Sequence, residues 1–562
     1  MGITTQGRVA YFSMEIGISH TIPTYSGGLG MLAGDLLKSY ADMNVPVIGI
    51  TLLNEKGYFH QKMDSDGNQI EEPVHWNPSD RLIPLQNHIK VQIEGRDVIV
   101  GAWKLIINGI TGHSIPIYYL DTNIDGNSAY DRTLTSFLYG GDSRYRLAQE
   151  IILGIGGVRM LESLGENISK YHMNEGHAAL LVVELLRKNY SGADNKEKVK
   201  NSCVFTTHTP VAAGHDRFDR DLFLRITGGI VPESIIQESL IDNKFNMTLL
   251  GLNYSKYING VAIRHGEVAR EMFPHYQIDA ITNGVHPGTW TSKYFKEVFD
   301  KHLAGWAHDP YSLRYVCSIP KEELWNAHMQ AKKELIEEIN TKTGAEFHEL
   351  RFTIGCARRF TPYKRPDMIL GDIKKLKEIA KKVGDIQIVF AGKAHAKDYA
   401  GKDLIKHVIR LSREINKEEG PLKIVFLENY DIGLAQKMVA GCDVWLNNPQ
   451  RPLEASGTSG MKAAMNGVPH LSTLDGWWLE GHIEGVTGWS LGPHPNDPGF
   501  NNDPDAIDEA LDLYTKLEQT IIPTFYGNHD AWIRIMGYVI AVNASFFNSY
   551  RMAQQYITNA YQ

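Results

Sequence analysis

Two domains of mixed α/β structure, each a doubly wound Rossmann-like parallel sheet, are predicted by three features of this sequence. Short β-branched runs alternate with amphipathic helical patterns along most of the chain. The strands read as near-continuous apolar runs, as strands covered by helices on both faces do. At 562 residues the chain is also too long for a single hydrophobic core. Two such domains facing a central cleft would place their site at the carboxyl ends of the strands.

The elements follow in order. "VAYFS" from Val9, "VIGITLL" from Val47, "IPIYYLD" from Ile115 and "CVFTTHT" from Cys203 read as buried strands, with amphipathic stretches such as "RLAQEIILGIGGVRMLESLG" from Arg146 between them. From Ile89, "IKVQIEGRDVIVGAWKLIINGITGHSIPIYYL" alternates with period two, which predicts antiparallel hairpins inserted in the first domain. After Leu350 the alternation is cleaner: "RFTIGCA", "IQIVFAGK", "LKIVFLEN" and "CDVWLNN" are strands separated by Lys- and Glu-rich helices. Weak periodicity between Pro287 and Lys321 marks the junction. The expected domains are therefore 1–286 and 287–531, with helices of 532–562 packing back on the first. "GPHPNDPGFNNDPD" from Gly492 is turn-rich enough for a surface loop.

Composition excludes several classes. A net charge of -8 gives no general attraction to nucleic acid or to an anionic membrane, so any bound anion needs a local site. The four cysteines lie far apart, with neither zinc-ligand spacing nor a disulfide framework. Neither a signal peptide nor a transmembrane run is present, and a cytoplasmic location is expected. "MGITTQ" departs from the myristoylation pattern at Gln6.

Five stretches carry candidate chemistry. In "YSGGLGMLAGDLLKSYADM" Gly27, Gly28 and Gly30 open a helix, where backbone N–H groups approach an anion closely; a tight turn accounts for them equally well. "CARRFTPYKRP" delivers Arg358, Arg359, Lys364 and Arg365 beyond a strand, suited to a phosphate or to a solvated loop. "FTTHTP" sets His208 directly after a strand, and "YHMNEGH" sets Glu175 and His177 at a strand-to-helix turn; structural histidine and helix capping are the plain readings. "EASGTSGMKAAMNG" places Lys462 at a helix start behind hydroxyls and glycines. Such a lysine fits direct phosphate binding or covalent attachment of pyridoxal phosphate, and spacing does not choose between them.

The order of segments from about Arg8 to about Gly481, above all "EASGTSGMKAAMNG…STLDG", resembles the α-glucan phosphorylases: the glycogen, starch and maltodextrin enzymes. That resemblance implies a GT-B fold and pyridoxal 5'-phosphate on Lys462. Thr458, Ser459 and Arg358 would surround its phosphate, and Tyr430 would pack near its ring. Arg359 and Lys364 match the binders of substrate phosphate, with Gly28 and Leu29 on the opposite wall. Glu454, Ser456 and Gly457 match residues that hydrogen-bond the glucosyl hydroxyls, His208 and Asn283 those near its 6-hydroxyl, and Tyr363 the tyrosine beside the sugar. Glu175 and His177 fall where the family has an Asp and a His.

The implied reaction is reversible phosphorolysis of terminal α-1,4-glucosyl units to α-glucose 1-phosphate with retention. The partners are an α-1,4-glucan, inorganic phosphate and glucose 1-phosphate, and a homodimer is expected. Departures from the pattern bear on this. "TPVAAGHDRF" after His208 looks more like glycogen and starch synthases, and Gly17 stands where the large phosphorylases have a tyrosine. The sequence begins almost at the first strand of the family pattern, from which activity independent of phosphorylation and AMP is expected. Two rival readings remain: a sugar-nucleotide glucosyltransferase of the same fold without the cofactor, and a non-catalytic glucan-binding protein.

Overall fold

Valine- and isoleucine-rich strands such as Val47–Leu52, buried at every position, need helices on both sides, and the chain supplies them in two separate units. A computed structural model describes residues 7–188, 195–211, 214–502 and 505–562. The hexapeptide 1–6, residues 212–213 of the stretch after His208 and residues 503–504 of the turn-rich loop lie outside the described residues. The first unit comprises Met1–Phe59, Pro73–Thr282 and Ser549–Gln562; the second comprises His60–Glu72 and Asn283–Asn548.

In the first unit the strands of the main sheet are β1 (Arg8–Phe12), β2 (Val47–Leu52), β3 (Ile83–Pro84), β4 (Ile89–Ile93), β5 (Arg96–Asn108), β6 (Ser114–Asp121), β7 (Ile168–Asn174), β8 (Cys203–Thr206), β9 (Tyr257–Gly260) and β10 (Asp279–Ala280). They form one sheet in the order β10-β9-β8-β7-β1-β2-β6-β5-β3, with β4 also pairing with β5. From β10 to β6 all pairings are parallel. The run with period two supplies the antiparallel part: β5 pairs with both β4 and β6 in reversed sense. Between β7 and β1 the direction of strand succession reverses, the crevice where α/β sheets take ligands.

The second unit holds β11 (Phe352–Ala357), β12 (Ile386–Ala391), β13 (Leu422–Leu427), β14 (Val444–Asn447), β15 (His470–Thr473) and β16 (Gly488–Leu491). All its neighbours are parallel, in the order β13-β12-β11-β14-β15-β16. The reversal here lies between β11 and β14. At the opposite ends of these strands Asp443, fully buried, pairs with Lys332 at 2.5 Å and His328 at 2.8 Å and accepts from Thr353 N at 2.7 Å. That knot ties helix Lys321–Thr343 to the sheet. A short antiparallel hairpin, His60–Met63 against Gln69–Glu72, also belongs to this unit.

The unit limits differ from those read off the sequence. The division falls between Thr282 and Asn283, and the return to the first unit begins at Ser549 rather than at residue 532. Aromatic packing explains the second difference. Trp532 meets the rings of Phe352, Phe525 and Trp489, which keeps helix His529–Tyr538 with the second sheet. Only helix Ser549–Asn559 and the residues after it join the first unit, where Ser549 bonds Ser39 at 2.6 Å and Tyr561 bonds Tyr40 at 2.8 Å. Among the described residues no helix is long and apolar enough to cross a membrane.

Candidate active site

In the second unit the residues just beyond β11 and β14 meet at the reversal point. β11 hands over directly to Arg358, whose Nη2 donates to Glu454 Oε2 at 3.0 Å and whose Nη1 reaches the Lys364 carbonyl at 3.3 Å. Lys364 Nζ pairs with the same Glu454 oxygen. Side-chain exposures of 8% for Arg358, 11% for Lys364 and 12% for Glu454 make this a nearly buried triad of two cations and one carboxylate. Burial pushes the Glu454 carboxyl up, but Lys364, Arg358 and Arg359 together hold it below the ordinary carboxylate value. Glu454 is therefore held as a carboxylate, and two basic side chains against one acidic one leave the triad an excess of positive charge. Exposed Arg359 adds to it, acting electrostatically on both Glu454 and His395. Tyr363 presents its ring to Lys364 Nζ, 4.8 Å from the centroid.

Arg365 leaves the group. Its backbone turns left-handed, φ 45°, and its guanidinium bonds the Asn448 and Pro449 carbonyls at 2.9 and 3.0 Å and Glu509 at 2.5 Å. Of the four cations in one run, this one is an anchor.

From β14 itself, Trp445 Nε1 and Asn447 Nδ2 both donate at 3.0 Å to Oγ of Ser459, which lies beyond the strand. With its oxygen already accepting twice, that hydroxyl has its proton to give elsewhere. Helix Ser459–Ala464 starts after Thr458 with no side-chain capping bond. Gly457 has φ 74°, and a Cβ on Gly460 would fall 2.7 Å from the His470 ring, so both glycines are required by the turn. Lys462 is buried, its Nζ 4.1 Å from the centroid of the Trp290 ring. The preceding loop is fixed by Asp475, which accepts from Glu454 N at 2.8 Å and Gly476 N at 2.9 Å. Burial pushes the Asp475 carboxyl up to about 7.

These residues suit pyridoxal phosphate, which needs a sheltered primary amine and nearby donors for its phosphate. Lys462 offers the amine. Arg358 Nε and Ser456 Oγ are buried with no hydrogen-bond partner among the described residues, two orphaned polar groups in the neighbourhood where an anion would satisfy them. Asn283 is buried near the start of this unit, and Tyr430 is half-buried in the loop after β13.

In the first unit the loops after β1 and β7 carry the predicted residues. Gly28 is exposed at the first turn of helix Gly28–Asp42, and a Cβ on Gly27 or Gly28 would meet open space; Leu29, next in the helix, is half-buried. The loop before them is held by Glu15, which accepts from Ser26 N at 2.5 Å, Gly27 N at 3.2 Å and Tyr139 OH at 2.9 Å. Glu175, at φ 79°, spends both oxygens on its own surroundings: Gly176 N at 3.0 Å, His208 N at 2.7 Å and Thr209 Oγ1 at 3.0 Å. His208 Nε2 bonds Asn174 Oδ1 at 2.6 Å, so any further contact of its ring runs through Nδ1. Burial, with neighbouring histidines adding to it, lowers His208 to about 3 and keeps it neutral. His177, likewise lowered to about 3 by burial, lies 3.3 Å from Asp216, which Arg146 also holds at 2.8 Å. A Cβ on Gly17 would fall 2.8 Å from Met31 Sδ, so that side chain would have to move to admit one.

The structure thus brings Arg358, Tyr363, Lys364 and Glu454 into contact, and separately Glu175 with His208. Glu15, Asp475 and Asn447 carry bonds that hold these loops, yet none is marked by the sequence pattern. A carboxylate shortly after a strand is the signal that could have pointed to Glu15 and Asp475.

A model of the carbohydrate phosphorylase family matches residues 24–102 and 227–484. The maltodextrin phosphorylase of Thermococcus litoralis is 40% identical over 98% of this chain and 70% of its own length. The glycogen phosphorylase of Aquifex aeolicus is 35% identical over 99% of this chain and 86% of its own. The glycogen phosphorylase of Mycobacterium tuberculosis is 35% identical over 98% of this chain and 70% of its own.

Proposed function

This chain belongs to the carbohydrate phosphorylase family, and from that premise we propose that it is a pyridoxal-phosphate-dependent α-1,4-glucan phosphorylase of GT-B fold. The reaction is reversible phosphorolysis of terminal glucosyl units to α-glucose 1-phosphate with retention. The observation that carries this reading is the two-cation, one-carboxylate triad beyond β11, in the same unit as buried Lys462 beyond β14.

Lys462 would bear the cofactor, with Arg358, Thr458 and Ser459 holding its phosphate and Tyr430 beside its ring. When bound, that group supplies a phosphate able to exchange a proton with the substrate phosphate. The chain's own residues do the rest. Arg359 and Lys364 bind the substrate phosphate as fixed cations. Lys364 shares its hydrogen bonds between Glu454 and that anion, and in doing so leaves Glu454 oxygens to accept from glucosyl hydroxyls. Asp475 keeps Glu454 from following Lys364 by gripping its backbone N–H. Neutral His208 is suited to exchange a hydrogen bond with a sugar hydroxyl through Nδ1, not to form an ion pair. No pair of carboxylates spaced for hydrolysis is needed.

The test uses the purified full chain with maltodextrin and inorganic phosphate. Glucose 1-phosphate should appear, and borohydride reduction followed by peptide mapping should place a pyridoxyl group on Lys462. Transfer from a nucleotide sugar with an unmodified Lys462 would instead establish the glucosyltransferase reading and sink this one.

A further inference from the structure

The hairpin His60–Glu72 is encoded within the first half of the sequence yet belongs to the second unit. Two of its glutamines are buried, Gln61 completely and Gln69 with 7% exposure. A buried primary amide is costly unless its donors and acceptors are met. Here they are met largely by the backbone of two loops, those beyond β12 and β13. Gln61 Nε2 donates to Gly392 O and to Gln69 Oε1, both at 2.9 Å, while its Oε1 accepts from Asn429 N at 2.8 Å. Gln69 Oε1 also accepts from Ala394 N at 3.0 Å, and its Nε2 donates to Ala394 O at 2.9 Å and Glu71 Oε1 at 2.6 Å. The hairpin backbone adds Gln61 N to Asn429 Oδ1 at 3.2 Å and Met63 N to Glu428 Oε2 at 2.9 Å.

Both loops lead to the candidate site. Arg358 N donates to Ala391 O at 3.1 Å and Phe360 N to Lys393 O at 3.0 Å, so residues 391–394 form the backing of the cationic loop. Gly392 is pressed so closely against it that a Cβ would run into the Arg358 carbonyl oxygen. Asn429 is the residue before Tyr430. A hairpin that merely covered the edge strand β13 would bond along that strand; this one grips the loops at the strand ends.

We propose that Gln61 and Gln69 are positioning residues for phosphate binding: they hold the Arg358–Lys364 loop and Tyr430 through Gly392, Ala394 and Asn429. The proposal rests on the phosphorylase reading for its consequence and on hydrogen-bond geometry for the holding itself. Isosteric Gln61→Glu and Gln69→Glu, made in the full chain, turn a donor into a carboxylate oxygen facing Gly392 O or Ala394 O. Hydrogen exchange should quicken at the amides of residues 358–364 and 429–431 and stay unchanged in β15 and β16. Steady-state kinetics should show the KM for inorganic phosphate rising about tenfold or more, because small misplacements of a binding group cost about that or worse, with the KM for maltodextrin within about twofold. Unchanged exchange in those loops, or a lowered unfolding midpoint with the phosphate KM unmoved, overturns the proposal. If the wild-type chain makes no glucose 1-phosphate while the exchange difference is present, the holding role stands and the phosphorylase reading falls.

Discussion

Replacing Glu454 with Gln separates the charge of the triad from its shape. The carboxylate balances two cations that are nearly as buried as itself, with exposures of 8% and 11%. Removing one partner of a buried pair costs about 3–5 kcal/mol. Arg358 keeps its bond to the Lys364 carbonyl, so the lower end, about 3 kcal/mol, is expected. At roughly 2 °C per kcal/mol for a unit of this size, the unfolding midpoint of the second unit should fall by about 6 °C. Phosphate then distinguishes this account from simple loss of packing. An anion at one hundred times its Kd stabilises by about 2.7 kcal/mol, and in the variant it no longer competes with a carboxylate for Lys364. Thermal unfolding at pH 7 with and without inorganic phosphate should therefore show a larger gain for Glu454→Gln than for the wild type. A variant within about 0.5 kcal/mol of wild type, with an equal gain from phosphate, would refute the reasoning.

Three further outcomes follow from single observations. Arg359 is exposed, so Arg359→Ala should leave stability within about 0.5 kcal/mol but lower phosphorolysis by about 10² to 10³; near-wild-type initial rates would remove it from the site. Burial raises the Asp475 pKa from an ordinary 3.8 to about 7, so between those values the folded chain holds a proton that the unfolded chain has released. Stability should accordingly drop as pH rises across that window, by about 1.4 kcal/mol per unit at most, and Asp475→Asn should flatten that part of the unfolding profile; identical profiles would disprove it. Gly457 has φ 74°, and a Cβ would make only ordinary contacts, the nearest at 3.6 Å. Gly457→Ala should thus cost about 1–2 kcal/mol from the backbone alone, and a variant as stable as wild type in denaturant titration would show that the loop relaxes.

How much of this could be read beforehand depends on how local the physics is. β11 to β14 were legible because largely buried parallel strands leave near-continuous apolar runs, and the glycine, hydroxyl and lysine spacing before Met465 announced a helix start. Four cations between Arg358 and Arg365 look equivalent in sequence. They differ because Arg365 takes a left-handed turn toward Glu509, a partner 144 positions away that no local pattern reveals. The hairpin His60–Glu72 was illegible for the same reason. Its strands are four residues each and polar, and the groups that satisfy its glutamines lie more than 320 positions along the chain. Trp532 likewise looked like the start of the returning tail until its ring partners in the second sheet were visible.

On the proposed reading, the triad is also a way for an acidic chain to hold an anion-binding site without relying on net charge. Two buried cations alone would repel and raise the free energy of the fold, whereas two carboxylates would leave nothing for an anion. One carboxylate offsets most of the repulsion and preserves an excess positive charge at a defined place. Its position must be independent of the cations, or it would simply follow them. Asp475 provides that independence by fixing the backbone N–H of Glu454. The cations are fixed in turn by the 391–394 backing, itself gripped by Gln61 and Gln69. Under the proposed function, affinity for phosphate is a property of two independently anchored loops, and because the triad's charges are mostly buried it should be screened by salt far less than a surface lysine patch would be.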